Sequence, residues 1–323
     1  MDRPSSLALR GAVKAFAAQY LPDVTDVAVA LSGGADSLAL AAAAVARAWS
    51  VTALIVDHGL QRDSAQVAAR ARSQALALGC ADAVVLSVTV DGVGGLEAAA
   101  RSARYAALEQ ARDGRPVLLA HTLDDQAETV LLGLGRGSGA RSIAGMRPWD
   151  DPWGRPFLDR RRTETRSSCD ELAITAWEDP HNVDSRFVRV RLRHEVLPLL
   201  EEVLGGGVAE ALARTALSLQ DDGDALDAQA RAAFPGARGL AISDLRGLTP
   251  AVRRRVIRLW LLAGGAQDLN DNQIRAVEAL VTQWRGQGGV AVGADLRYQR
   301  LVASRSGEQL VLSVHDVASV ARH

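Results

Sequence analysis

Between residues 27 and 37 the chain passes from an apolar run, Val27-Ala28-Val29-Ala30-Leu31, through Ser32-Gly33-Gly34-Ala35-Asp36-Ser37 into an alanine- and leucine-rich stretch. No other segment constrains the fold as strongly. A short run with no polar alternation reads as a strand buried on both faces. The glycines stop it, and Ser37 to Trp49 reads as the helix that follows. Glycines in such a turn let backbone N–H groups approach an anion closely, and the helix presents its positive N-terminal end to it. Ser32 and Ser37 add hydroxyl donors. Asp36 is unfavourable beside a phosphate unless a cation lies between them, and Mg²⁺ would account for it. The Walker loop is excluded, because it needs Gly-Lys-Ser or Gly-Lys-Thr and the single lysine is Lys14. The dinucleotide fingerprint GxGxxG is absent from the turn as well.

The alternation continues. Strands are predicted at Val51 to Val56, Ala83 to Val90 and Val117 to Ala120, and helices at Ala65 to Leu78, Glu97 to Arg112 and about Asp124 to Leu134. Strands alternating with helices predict an α/β fold, a parallel sheet with helices on both faces. Ligands bind such sheets beyond the carboxyl ends of the strands, where the Ser32–Ser37 loop, Asp57-His58 and His121 fall. Past residue 140 the alternation fades. Gly145 to Asp159 reads as an ordered loop, Arg189 to Val203 as a helix, and Gly205-Gly206-Gly207 as a break. A long amphipathic helix follows, then helical residues 250–285 and short strands over 290–314. The reading is a catalytic domain over residues 1–210 and a smaller, mainly helical domain over 211–323.

Length allows two domains. The two cysteines, Cys80 and Cys169, make no CxxC pair, which argues against a local zinc or iron–sulfur site and for reduced thiols in the cytoplasm. The N-terminus lacks a basic stretch followed by an apolar core, and the longest apolar run, Leu38 to Ala46, is too short to span a bilayer, so no membrane partner is expected. The net charge of −1 announces no nucleic-acid partner. Arginine is clustered, however, at 160–162, at 186, 189, 191 and 193, and at 253–255 with 258, and guanidinium forks suit phosphate.

Two further segments carry chemistry. In Gly95-Leu96-Glu97-Ala98-Ala99-Ala100-Arg101-Ser102-Ala103-Arg104-Tyr105, helical spacing puts Glu97, Arg101 and Arg104 on one face, either as an intrahelical pair or as cations facing phosphates. In His121-Thr122-Leu123-Asp124-Asp125-Gln126-Ala127-Glu128-Thr129, acids three and four apart converge, either as a plain acidic helix start or as ligands for a metal or an amine.

SGGxDS directly after a buried strand resembles the PP-loop, or N-type, ATP pyrophosphatases. The EAAAR…RY helix, HTLDDQAET, Arg136-Gly137-Ser138-Gly139 with Gly145-Met146, Arg155-Pro156-Phe157-Leu158, and Trp177-Glu178-Asp179-Pro180-His181-Asn182 followed by Arg189 to Arg193 are together similar to the tRNA(Ile)-lysidine synthetase family. His181 and Val190 depart from that family's usual small residue and asparagine. The resemblance implies ATP-dependent ligation of free L-lysine to carbon-2 of the wobble cytidine in tRNA(Ile) with a CAU anticodon, through an adenylated tRNA. It implies that Ser32, Gly33, Gly34, Ala35, Asp36 and Ser37 hold pyrophosphate and that Asp57, His58 and His121 lie near the rest of ATP. Arg101 would offset charge at the α-phosphate, and Asp125 and Glu128 would take the lysine ammonium. Asp36 and Asp125 would hold Mg²⁺, and Arg189 and Arg193 would face RNA. The family also implies a homodimer. The alternative is another adenylating PP-loop enzyme such as a tRNA thiolase; a glutamine-dependent ligase or a nucleotide sensor fits the motifs less well.

Overall fold

The computed structural model describes residues 3–59, 63–90, 96–137, 139–234, 236, 239–293 and 299–316; at 96, 97 and 181 it describes the backbone alone. Two compact units divide the chain. One comprises Met1–Leu132 and Gly145–Ala216, the other Gly133–Ala144 and Leu217–His323.

The first unit opens with α1 (Pro4–Tyr20), which is not among the expected elements. Its stripe of Leu9, Val13, Phe16 and Ala17 is buried. Then come β1 (Asp26–Ala30), α2 (Ala35–Ala46), β2 (Ser50–Asp57), α3 (Ser64–Ala77), β3 (Asp82–Ser87), α4 (Leu96–Ala111), β4 (Val117–Leu118) and α5 (Leu123–Arg136). The chain then passes through a four-residue helix of the second unit, α6 (Ala140–Ile143), and returns to the first with two short strands, β5 (Trp149–Asp150) and β6 (Trp153–Gly154). The remaining helices of this unit are α7 (Arg162–Glu171), α8 (Val188–Arg191) and α9 (Leu197–Leu204), with α10 (Val208–Ala233) beginning before its end.

The sheet order is β3-β2-β1-β4-β6-β5, parallel except for the β5–β6 hairpin. Alternate residues of one strand serve opposite faces. Val27 and Val29 are buried in one cluster with Leu9, Phe16, Leu38 and Ala71; Ala28 joins Leu54, Leu108 and Val117 in another. Both faces of β1 are therefore covered, which is why it reads as a continuous apolar run, whereas the edge strand β3 leaves Val84 and Val85 exposed. The stretch expected as a loop over 145–159 instead extends the sheet through β5 and β6. Two-residue strands are too short to leave a period in the sequence. A Cβ on Gly154 would sit 2.7 Å from Phe16 Cζ and 2.9 Å from Leu118 Cδ2, so glycine permits that extra strand to close against the core.

The second unit contains β7 (Gly239–Ala241), α11 (Ile242–Arg246), α12 (Pro250–Ala263), α13 (Asp271–Thr282), β8 (Val290–Val292), β9 (Gln299–Ser306) and β10 (Gln309–Asp316). Its antiparallel sheet has the order β7-β10-β9-β8 and packs with the helices that make up most of the unit. Pro250 starts α12 and Asn270 caps α13 through the Gln273 N–H at 2.9 Å. Ile257, Trp260, Val277, Val281 and Leu310 form the centre of its core. Among the described residues no helix is long and apolar enough to cross a membrane.

Candidate active site

The strand order reverses around β1 and β4, and the Ser32–Ser37 loop leaves the carboxyl end of β1 at that point, where open α/β sheets bind ligands. Gly33 has φ +83°, where glycine is favoured, and a Cβ there would also crowd Ala71 Cβ at 3.3 Å. The hydroxyls mostly brace the loop. Ser37 Oγ donates to the Gly34 carbonyl at 2.9 Å and accepts from the Ser32 N–H at 3.2 Å, while Ser32 Oγ accepts from the Gly34 N–H at 3.3 Å. Trp177 N–H donates to the Gly33 carbonyl at 2.9 Å and ties the Trp-Glu-Asp-Pro segment to the loop.

Two cavities meet at this loop, sharing Ser32, Arg104 and Trp177. The smaller, about 290 Å³, is walled by Leu54, Val56, Asp57, His58 and Val67. It has the size and apolar lining suited to a nucleoside. The larger, about 1130 Å³, is lined by Gly34, Asp36, His121, Asp125, Arg162 and Arg193. His58 and His121 each bury an Nδ1 that has no hydrogen-bond partner. Burial pushes the His58 imidazole below its usual value, and Arg104 adds to the effect. Burial holds His121 at about 3, so it stays neutral at physiological pH.

The acids sit on a web of arginines. Asp124 and Asp125, at the start of α5, grip one residue from two sides. Asp124 Oδ2 accepts the Arg162 N–H at 2.7 Å, at the N-terminus of α7, and Asp125 Oδ1 accepts Arg162 Nη2 at 2.5 Å. Asp125 Oδ2 accepts the Thr122 N–H at 2.8 Å and the Thr122 hydroxyl at 2.9 Å. Burial raises the Asp125 carboxyl, but Arg162 and the Thr122 bonds outweigh it and hold it below the ordinary range. Glu128 is fully buried and bonds Arg193 through both oxygens, at 2.7 and 3.1 Å. Arg162 lies 3.6 Å from Glu128 Oε1 and 3.5 Å from Asp36 Oδ2. Thr165, one turn along α7, donates its hydroxyl to Asp36 Oδ1. Asp36 nonetheless has its carboxyl raised, chiefly by burial, against the pull of Thr165 and Arg162.

That imbalance tests the Mg²⁺ expectation. Asp36 carries an under-compensated carboxylate beside a phosphate-type loop, and Mg²⁺ is commonly held by one or two carboxylates plus substrate phosphates, so Asp36 fits. Asp125 does not fit, since Arg162 and Thr122 already take its oxygens. Among the described residues no group of three His, Cys, Asp or Glu could hold a metal.

Several expected roles shift. Arg101 is exposed over the Tyr105 ring at 4.9 Å and lines neither cavity; Arg104, one turn on, lines both. Arg193 turns inward onto Glu128 while still lining the larger cavity, because a fully buried carboxylate requires a partner. Arg189 is only loosely held, 3.4 Å from Thr129 Oγ1 and 3.9 Å from Glu128. Arg160 and Arg161 stay half-exposed, paired with Asp159 at 3.1 Å and with Asp124 at 3.6 Å, while Arg162 faces the cavity. The Glu97 and His181 side chains lie outside the described residues, and Val190 is buried. Thr165 was not singled out in the sequence, Arg162 was read only as one of a phosphate-suited cluster, and Trp177 only as part of a family motif; their places in the site come from the structure. The Arg-Pro-Phe-Leu motif ends four residues before Arg162, but nothing in it shows that α7 folds back onto α2.

The chain's similarities agree with this layout. Residues 9–200 match the family described as the PP-loop domain, and residues 240–305 match the TilS substrate binding domain. The chain is 66% identical over 320 residues to the tRNA(Ile)-lysidine synthase of Mycobacterium tuberculosis H37Rv, covering 97% of this chain and 98% of that protein. It is 59% identical over 318 residues to the enzyme of the same name from Rhodococcus erythropolis, covering 98% of each. Among solved structures, the U34-tRNA thiolase NcsA from Methanococcus maripaludis superposes with a TM-score of 0.53 at 16% identity, covering 67% of this chain and 78% of that one, a likeness of fold alone. A PP-loop at the switch point of the sheet, a matched substrate-binding domain and full-length identity of this order place the chain in the tRNA(Ile)-lysidine synthase family.

Proposed function

We propose that this chain ligates free L-lysine to carbon-2 of the wobble cytidine in CAU-anticodon tRNA(Ile), at the expense of ATP, and that it does so in the cytoplasm. The carrying observation is the SGGADS loop at the switch point in a chain 66% identical to a tRNA(Ile)-lysidine synthase. The cytidine oxygen at carbon-2 attacks the α-phosphate of ATP and pyrophosphate leaves. The ε-amine of lysine then attacks carbon-2, forming the C–N bond and releasing AMP. The smaller cavity suits the adenosine, with Asp57 and His58 at its wall, and the N–H groups of residues 33–37 suit the pyrophosphate. Neutral His121 and cationic Arg104 line the space between loop and acids. Mg²⁺, held by Asp36, would neutralise phosphate charge. The lysine ammonium competes with Arg162 and Arg193 for Asp125 and Glu128. Arg189 and exposed Arg101 would meet the RNA. Exposed Leu199, Val203 and Leu204 on α9 support a homodimer, which a monomer mass in sedimentation would rule out.

The test is incorporation of labelled lysine into purified CAU tRNA(Ile) with ATP and Mg²⁺. ATP-dependent incorporation is expected. Pyrophosphate release stimulated by tRNA without lysine entry would retain the adenylating step and remove lysine as nucleophile. Neither signal, from folded protein and competent tRNA, would overturn the reading.

A further inference from the structure

One guanidinium serves both halves of the site. Each of its three nitrogens faces a different carboxylate: Arg162 Nε is 3.5 Å from Asp36, Nη2 is 2.5 Å from Asp125 and Nη1 is 3.6 Å from Glu128. Asp36 belongs to the phosphate loop on α2; Asp125 and Glu128 belong to α5. The guanidinium is itself anchored. Its own backbone N–H is held by Asp124, Thr165 on the same turn bonds Asp36, and α7 closes its first turn through Glu164 Oε2 accepting the Arg161 N–H at 2.8 Å. The side chain is 16% exposed, so its ion pairs are little screened. Burial works against the charge on Arg162, and the four surrounding carboxylates of Asp125, Asp36, Glu128 and Asp124 overcome it.

We propose that Arg162 is the positioning residue that couples the phosphate loop to the amine-recognising acids, setting the direction of Asp36 and Asp125 with one rigid fork and adding its charge beside Glu128, whose oxygens Arg193 holds. The role rests on the function proposed above and adds that adenylation of tRNA and capture of lysine depend on the same residue. A planar guanidinium presents its donors at set angles to several acceptors, whereas an ammonium is a single point charge on a flexible stem. Arg162→Lys thus keeps the charge and loses the fork's alignment.

The test separates the two half-reactions in Arg162→Lys and Arg162→Gln. The first half is tRNA-dependent pyrophosphate release without lysine; the second is read by the lysine KM at saturating ATP and tRNA. In Arg162→Lys, pyrophosphate release falls and the lysine KM rises, each by about tenfold or more, within the roughly 10²-fold that displacing a reacting geometry by about an ångström can cost. The tRNA KM and the thermal midpoint stay near those of the parent. Arg162→Gln shows the same two effects more strongly, and partial recovery in Arg162→Lys marks the charge contribution. Should Arg162→Gln fail to fold, Arg162→Lys carries the test alone. A change confined to one half-reaction, or a uniform fall in kcat with an unmoved lysine KM, would overturn the coupling. An inactive parent protein would instead remove the function on which the inference rests.

Discussion

The two units bury arginine for opposite ends. In the first, Arg162 and Arg193 lie among Asp36, Asp125 and Glu128 on the wall of a large cavity, where charge remains available to a ligand. In the second, Arg253 is spent on the fold. It bonds Glu278 of α13 at 2.9 Å and the Leu248 carbonyl at 3.1 Å, stitching α12 to its neighbours. Arg255 is similarly consumed by Asp227 at 2.7 Å. Both sets are runs of arginine in the sequence and both were expected to meet phosphate. What separates them is the cavity. A guanidinium–carboxylate pair on a cavity wall leaves a charge that a ligand can exchange, whereas the pairs of Arg253 and Arg255 tie one helix of the fold to another.

The sharpest way to break this comparison is at Asp36. Its carboxyl is raised above the usual carboxylate value, so the folded chain binds that proton more tightly than the unfolded chain does, and the ionised side chain opposes folding at neutral pH. Stability tied to this group falls as pH rises through the ordinary value of 3.8 towards the raised one. Asp36→Asn is expected to lower lysine incorporation by about 10²-fold or more while stability at pH 7 holds or rises. A destabilised but active variant would mean the first unit's charges are as structural as the second's.

Arg253→Ala is the counterpart. It leaves Glu278, 14% exposed, without its closest cation, and it should cost about 2–4 kcal/mol in urea unfolding, with kcat of the folded fraction unchanged. Full stability in that variant would remove the structural half of the comparison.

The smallest effect tests whether the first unit also contains a charge unconnected with the cavity. Glu171, at the end of α7, accepts from the Ser6 hydroxyl at 2.6 Å and from the Ser6 and Ser5 N–H groups at 2.9 and 3.0 Å, and so caps α1, whose own N-terminal residue offers no side-chain cap. These bonds, led by the Ser6 hydroxyl, hold its carboxyl at about 2 against an ordinary 4.5. A depressed folded value means the stabilisation is complete above 4.5 and is lost as pH falls towards 2. Glu171→Gln should therefore flatten the acid side of the stability profile within that window and leave lysine incorporation untouched. An unchanged acid profile would show that the cap contributes nothing.

Much of the catalytic unit was legible because its physics is local. A strand buried on both faces must be apolar along its length, and a turn that bends at φ +83° against Ala71 favours glycine, so the β1–loop–α2 segment announces itself. Pairings made across long sequence distances left no such mark. α7 is polar nearly throughout and buries little more than Thr165, Ser168 and Cys169, so no apolar stripe reveals which way it faces. Gln126, 2% exposed, matches both backbone groups of Met146, accepting its N–H at 2.7 Å and donating to its carbonyl at 2.9 Å, and that pairing explains why Gly145-Met146 accompanies the acidic helix. Neither motif shows this alone.

The sequence by itself determined the parallel α/β sheet and the anion-binding loop at the end of its first strand, since period, glycine geometry and residue type are properties of short segments; the adenylating chemistry was implied by the resemblance its motifs carry. Only the tertiary structure decided which of many arginines face a cavity, that Arg104 rather than Arg101 reaches both cavities, and that Arg193 turns inward to Glu128. A guanidinium takes the acceptor that folding brings within about 3 Å, and which acceptor that is depends on helices joined through long stretches of chain.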